Sequence, residues 1–442
     1  MSYGFVYFCA ICRLLPMKKI LFNNITIIDE NSSFHRQKTN ILIAEGRIAA
    51  IGNMIEAGDA ELIAADGLMV SPGWLDMRSL SGQPGYEHRE TLQSLSSVAA
   101  AGGFTDVALL PNTYPVMQTA DAVAAVKNFR NELPVAFHPI AAASTDAKGE
   151  EMSELLDLHH AGAVAFSDGI NTTYKTSLII KILLYLKQFN GLFINVSNEK
   201  SLAEYGQMHE GVQSTLLGLK GIPSLAEEMG IRQHLQLLTY TGGKLHFSCI
   251  SSADGVHLIR RAKEEGFAVT ADVASYHLAF TDEDLNGFDT NLKVMPPLRT
   301  ATDRAALIEG LADGTIDAIV SNHLPLDTEA KELEFDLSDF GMINLQTSFA
   351  VANTFGKISA EKIVQLLAVN PRRILGLPPI TVQPGSVAHL TIFHPSETWT
   401  FNQNTNYSLS ANTPFFGQTF AGRVYGTVRD GKLHWQGNNQ VK

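Results

Sequence analysis

The sequence predicts an α/β fold: a TIM-like (β/α)8 barrel joined to a small β-sandwich domain assembled from both ends of the chain. Three observations lead there. From about residue 71 to residue 377, short apolar runs alternate with helix-period stretches, and the runs number about eight, as a closed parallel barrel requires. On either side, residues 17–70 and 378–442 read as short strands and turns of one texture, which suggests a single β domain fed by both termini. A chain of 442 residues can hold one large barrel with an accessory domain, although two to three ordinary domains would also fit.

Taken in order, residues 1–16 are apolar but too short to span a bilayer, and they lack a basic start or a small-residue cleavage site. Met17-Lys-Lys-Ile-Leu-Phe-Asn-Asn24 is a more natural beginning, so 1–16 is expected to be a disordered or loosely packed extension. Lys19–Phe22 and Ile25–Asp29 are the first strands, and Asn40–Gly52 is a strand pair around the Glu45-Gly46 turn. Near the C-terminus, Ser386–His394 is a strand and Gly422–Trp435 a hairpin turning at Asp430-Gly431. The expected barrel strands are Leu68–Leu75, Phe104–Leu110, Val135–Ala141, Ala163–Ser167, Leu192–Val196, Lys244–Ile250, Ala268–Val273 and Ala318–Ser321. Helical patterns fall between them at Glu90–Ala101, Thr119–Asn131, Met152–Ala161, Thr176–Phe189, Leu225–Thr241, Ala253–Glu265 and Thr302–Ala312. Gly162, Gly242 and Gly266 follow helices as C-terminal caps do. Asp327–Gly341 is acidic and aperiodic, a long loop expected over the mouth. Ser359–Leu367 begins a last helix, and Asn370–Leu377 returns the chain to the β domain.

Composition narrows the class further. Apolar content of 45% with 18% charged residues fits a globular protein with a substantial core. A net charge of −12 argues against nucleic acid or an anionic membrane surface as partner. Cys9, Cys12 and Cys249 make no disulfide framework, which points to a reducing, cytoplasmic location. Cys9-Ala-Ile-Cys12 has the spacing of a redox motif but no βαβ context, so no redox role is assigned.

Function turns on Ser71–Gly85. Residues just past the end of a barrel strand lie at the mouth, where barrel chemistry takes place. Several other stretches complete a set: Val70-Ser-Pro-Gly-Trp-Leu-Asp76, Ala99–Pro115, Gly162-Ala-Val-Ala-Phe-Ser-Asp-Gly169, Glu210-Gly-Val, Gly218–Glu227, Met295-Pro-Pro-Leu-Arg-Thr300, Asp313–Ile319 and Asn370-Pro-Arg-Arg-Ile-Leu-Gly-Leu377. In this order, from about Met17 to the C-terminus, they resemble the dihydroorotases of the amidohydrolase superfamily. The resemblance implies a barrel of the metal-dependent hydrolase type, the reversible cyclisation of carbamoyl aspartate to dihydroorotate in pyrimidine biosynthesis, and usually a homodimer. It also implies one or two zinc ions that polarise the amide carbonyl and activate a water, with an aspartate moving the proton. Allantoinase and hydantoinase relatives use the same apparatus on other cyclic amides.

The ligand positions of that apparatus are replaced. Its first histidine pair falls on Arg78 and Leu80, neither of which can bind a metal. Its carboxylate-clamping arginine is absent from Gly82-Gln-Pro-Gly85. Its next histidine falls on Asn195 or Val196, and another falls on Cys249, which reads better as an inert core thiol. The proton-shuttling aspartate is Asn322, the substrate-facing histidine after it is Leu326, and the substrate asparagine is Met295. Asp168 stands at the bridging-carboxylate position with a shifted register, and Asn112 matches a substrate-contacting position. His246, His277 and His323 fall at strand ends and read as hydrogen-bonded core histidines; Asp76 reads as a backbone or arginine partner. Zinc is therefore expected to be absent, and the leading reading is a catalytically inactive dihydroorotase-like protein that serves as a scaffold for aspartate transcarbamoylase. An alternative is a cyclic amidohydrolase with a rebuilt, metal-free site, its pocket drawn from Arg78, Asn112, Asp168, Cys249, His277 and His323. A third is a barrel that binds a small anionic or cyclic-amide ligand.

Overall fold

The computed structural model describes residues 18–129 and 133–436. Residues 1–16, with Cys9 and Cys12, lie outside the described residues. Eight parallel strands form the barrel sheet and follow one another in chain order: β1 (Trp74–Ser79), β2 (Phe104–Leu109), β3 (Ala136–Ala141), β4 (Ala165–Phe166), β5 (Phe193–Asn195), β6 (Leu245–Phe247), β7 (Val269–Ala274) and β8 (Ala318–Val320). Both β1 and β2 are buried at every residue, as strands covered on both faces must be. Helices such as Leu92–Ala101, Thr176–Lys187, Ser224–Thr241 and Ala301–Asp313 lie between successive strands. One apolar cluster, with Trp74, Phe104, Leu183 and Phe247, joins strands to helices, and a second, with Leu75, Ile140, Ile194 and Val320, is contributed by alternate positions of the same strands.

The barrel closes between β1 and β8. Leu80 N–H donates to His323 O at 2.9 Å, and Ser79 and His323 form a parallel bridge. The buried Asp76 carboxylate reinforces this seam. Its Oδ1 accepts from Ser321 N at 2.7 Å, and its Oδ2 from Ser321 Oγ at 2.8 Å and Ser79 Oγ at 2.6 Å. Burial pushes the Asp76 carboxyl above its ordinary range, against the pull of those donors.

The first barrel strand differs from its expected span of Leu68–Leu75. Met69–Pro72 belongs to the β domain, and Gly73 separates it from β1. Sterics explain the break: a Cβ on Gly73 would lie 2.2 Å from Thr105 Oγ1, so the chain can cross β2 here only as glycine. The mouth segment consequently starts later, and Arg78 is the penultimate residue of β1 rather than a loop residue.

Both chain ends do build one β domain. Its strands run in the order Lys432–Trp435, Thr419–Arg429, Leu390–Thr400, Met69–Pro72, Ile20–Ile27, Lys38–Ala44 and Arg47–Gly52. Ile20–Ile27 divides its pairing, with Ile20–Asn23 beside Glu61–Ala64 and Thr26–Ile27 beside Met69–Val70. Ile25, Ile41, Ile48, Leu390 and Ile392 fill the core of this domain.

The acidic stretch 327–341 is firmly packed. Lys331 Nζ donates to Thr290 O and Asp339 O, each at 2.7 Å, and Lys293 Nζ donates to Phe335 O at 2.7 Å. Buried lysine side chains capped by carbonyls hold in place the segment that its acidic, aperiodic sequence marks as a long loop. Asp76→Ala removes the acceptor that three of the seam's donors share. It should lower the unfolding free energy by about 3 kcal/mol, measured by urea denaturation; an unchanged midpoint would show that the seam does not depend on this carboxylate.

Candidate functional site

Arg78 governs the mouth. The register of β1 against β2 shifts between Asp76 and Ser79, and from this irregularity the Arg78 side chain crosses the barrel. Its Nε donates to Asn322 Oδ1 at 2.8 Å after β8, Nη2 to Gly169 O at 3.1 Å after β4, and Nη1 to Ser248 Oγ at 3.4 Å after β6. The residue is only 3% exposed. Among the described residues no carboxylate oxygen comes within the 4.0 Å of an ion pair. The nearest path to one is relayed: Ser248 Oγ donates to Asp272 Oδ2 at 3.1 Å while receiving Arg78.

Each partner is fitted to a cation in this place. Asn322 turns its oxygen to Arg78 and its Nδ2 to Tyr276 Oη at 2.6 Å and Met295 O at 3.3 Å. A carboxylate could accept from the Tyr276 hydroxyl but could not donate to the Met295 carbonyl, because it has no proton to give. Gly169 has φ +67°, and a Cβ there would lie 1.8 Å from Asn112 Oδ1. Asn112 in turn accepts from Ile170 N at 2.9 Å and donates to Asp168 O at 3.0 Å, which shapes the loop that presents the Gly169 carbonyl.

The remaining sequence-selected residues do not converge on Arg78. Asp168 spends its carboxylate on Ser144 N and Oγ, both at 2.8 Å, and on Thr173 Oγ1 at 2.6 Å. Asn195 forms a pair of bonds with Thr173 and a third with His234 Nε2 at 2.8 Å, while Val196 is buried. Leu80 packs against the apolar cluster of the barrel, and Leu326 is also buried. His246, inside β6, is held by Thr270 Oγ1 and Asp272 Oδ2, both at 2.7 Å. His277 faces the carbonyls of Pro296 and Pro297. His323 takes the N–H groups of Asn344 and Leu345 on Nδ1, and its Nε2 lies 3.7 Å from Glu90 Oε2. Cys249 is enclosed; burial pushes its thiol up to about 12, although the Arg78 charge works the other way.

These residues do not fit a zinc centre. A guanidinium crosses the space between the strand ends, and among the described residues no group of three or more His, Cys, Asp or Glu side chains gathers to hold a metal. Ser248, Tyr276 and Asp272 belong to the Arg78 network but escape sequence reasoning. The serines of Ser248-Cys-Ile-Ser-Ser252 at a strand end are the one available signal. Beyond the network the mouth opens into a cleft of 450 Å³ whose walls include Lys148, Asn171, Tyr174, Lys200 and Met295.

Burial holds three imidazoles, those of His209, His234 and His277, down at about 4. Their folded values lie below that of an unfolded histidine, so the unfolded chain binds more protons between about pH 6.5 and pH 4. Stability is therefore full above that window and falls as the pH drops through it. Between pH 7 and pH 5 the loss should be about 1–2 kcal/mol for each imidazole, read as a falling urea midpoint and reduced at one position each by His→Gln; a flat profile would contradict it.

Comparison with known proteins agrees with this architecture. Residues 67–255 match the family described as Dihydro-orotase-like. The chain is 40% identical over 429 residues to the dihydroorotase of Caldanaerobacter subterraneus subsp. tengcongensis, covering 96% of this chain and 99% of that one. It is 39% identical over 422 residues to the dihydroorotase of Pelotomaculum thermopropionicum, covering 95% and 99%. Among solved structures, the L-hydantoinase of Arthrobacter aurescens superposes with a TM-score of 0.82 at 25% identity, covering 94% of this chain and 96% of that one. With relatives this similar over nearly its whole length, the chain belongs to the dihydroorotase family of the amidohydrolase superfamily.

Proposed function

We propose that this chain is a non-catalytic member of its family, acting in pyrimidine biosynthesis as a scaffold for aspartate transcarbamoylase and itself a homodimer. One observation carries the inactive half of that reading: the Arg78 guanidinium, bonded to Asn322, Ser248 and Gly169, stands where ligands would have to converge. Arginine does not lose its proton in a protein, so the place carries a fixed positive charge that opposes a divalent cation. The position of a proton-shuttling aspartate holds Asn322, whose amide cannot take up and return a proton near neutral pH. Family membership supports the pathway. The partnership with aspartate transcarbamoylase rests on the family resemblance alone.

A second reading, a barrel that binds a small molecule, is favoured by the mouth cleft with Lys148 and Lys200 in its walls. Lys200 Nζ lies 4.5 Å from the Tyr174 ring centroid, within the range in which a ring face attracts a cation. Among the described residues no helix is long and apolar enough to cross a membrane.

Purified full-length protein, prepared from a host lacking its own dihydroorotase, should carry no stoichiometric zinc by metal analysis. It should also leave both dihydroorotate and carbamoyl aspartate unchanged when excess zinc is added. Turnover in that preparation would sink the inactive reading. Tagged chain should retain aspartate transcarbamoylase from its own cell extract, and failure to do so would remove the scaffold role while leaving the inactive mouth intact.

A further inference from the structure

At the end of the barrel opposite the mouth, the last helix carries the chain back to the β domain. Asn370 Nδ2 donates to Asp317 O at 2.8 Å, just before β8 begins. The preceding residues Gln365–Val369 are wound as a π-helix, an expansion of the helical turn that recurs at functional sites. Between this helix and the β domain lies a cleft of 510 Å³, with apolar walls that include Pro72, Leu377 and Ile380 and with Arg372 and Arg373 supplying charge. That size and lining are those of a small-molecule site.

The two arginines differ. The Arg372 side chain is 7% exposed, and its Nη2 donates to Asp106 Oδ2. Asp106 is also held by His138 Nε2 at 2.8 Å and Thr105 Oγ1 at 2.7 Å. Burial is the strongest single influence and would raise the Asp106 carboxyl, but the Arg372 charge together with the His138 and Thr105 bonds keeps the group well below the usual carboxylate range. Among the described residues Arg372 Nε, itself enclosed, has no acceptor. A buried guanidinium that commits one nitrogen and leaves Nε unpaired is short of acceptors. Arg373 stands at the rim, 66% exposed, with its Nη2 3.8 Å from Asp317 Oδ1; Asp317 is engaged more closely by Lys263 at 2.6 Å.

We propose that this cleft binds a small organic anion, with a carboxylate or phosphate on Arg372 and Arg373 and a compact apolar body against Pro72, Leu377 and Ile380. Guanidinium groups match the planar fork of such anions. Pro72 comes from the β domain and the arginines from the barrel's last helix, so the ligand would bridge the two domains and stabilise their junction. The site lies away from the mouth and stands whether or not the mouth is inactive.

The full chain is to be titrated with phenyl phosphate, benzoate and inorganic phosphate, following the melting temperature and the heat of binding. Phenyl phosphate or benzoate should raise the melting temperature, and Arg372→Lys should weaken that binding about tenfold or more, because lysine keeps a charge beside Asp106 but loses the fork. Equal binding in Arg372→Lys, no binding of any probe to the wild-type chain, or inorganic phosphate binding as tightly as phenyl phosphate would each overturn the proposal. Should Arg372→Lys fail to fold, Ile380→Trp fills the cleft and leaves the Arg372–Asp106 pair in place. Lost binding of the organic anions then supports the site, and unchanged binding overturns it.

Discussion

Arg78 places a permanent charge inside the barrel with no carboxylate in direct contact, and the surrounding structure is arranged to tolerate it. Taking an ion out of water costs several kcal/mol even after relaxation, so each N–H that lacks an acceptor here would be expensive. The acceptors come from three different strand ends: Asn322 after β8, Gly169 after β4 and Ser248 after β6. None of them is free to vary independently. Asn322 must both accept from the cation and donate to the Met295 carbonyl, which an amide does and a carboxylate does not. Gly169 must lack a side chain, because Asn112 occupies the space where its Cβ would be. Ser248 passes part of the charge on to Asp272, which also anchors His246 and accepts from Cys249 N at 2.6 Å. A single side chain thus ties together opposite sides of the mouth.

The buried carboxylates follow the same logic with the sign reversed. Asp76, Asp168 and Asp272 each receive hydroxyl and backbone N–H donors. Such donors satisfy a carboxylate's lone pairs without a metal and without an arginine. Asp76 uses them to join the first strand to the last, Asp168 to fix the loops after β3 and β4, and Asp272 to hold the ends of β6 and β7. Groups that could bind or move a cation are therefore committed to holding strand ends in register.

Much of this was legible in the sequence. Apolar runs of four to eight residues between helix-period stretches locate most barrel strands to within a residue or two, with β6 ending three residues earlier than expected, since burial on both faces leaves little choice of residue type. Gly73 defeats that reading at one place: Leu68–Leu75 reads as one strand across its Ser-Pro-Gly interruption, where the chain passes from the β domain into the barrel. The residue types at Arg78, Leu80, Cys249 and Asn322, which the family resemblance sets at ligand positions, are visible directly. What they do there is not. The Arg78 contacts join residues separated in sequence by 91, 170 and 244 positions, and no local pattern encodes which hydroxyl or carbonyl will meet a guanidinium. His323 reads from the sequence as a hydrogen-bonded strand-end histidine, but its partners are not legible there. Its Nδ1 is in fact consumed by two backbone N–H groups at the start of the following segment.

Identity of 40% over nearly the full length and a mouth built around a buried guanidinium are compatible because they concern different parts of the barrel. The fold is stabilised by apolar clusters, by the seam at Asp76 and by the β domain, none of which requires a metal. The mouth contributes to stability only through how well its polar groups are paired, and here they are paired with one another. A metal centre demands the opposite: ligands with free lone pairs, held apart by their surroundings until the ion arrives. Once Arg78 supplies the positive charge and Asn322 turns its oxygen toward it, those two requirements are met internally. Restoring one ligand would leave a buried guanidinium and its acceptors competing with the ion. Arg78 is therefore coupled to Asn322 and to the loop around Gly169, and the mouth behaves as one polar unit whose members must be exchanged together.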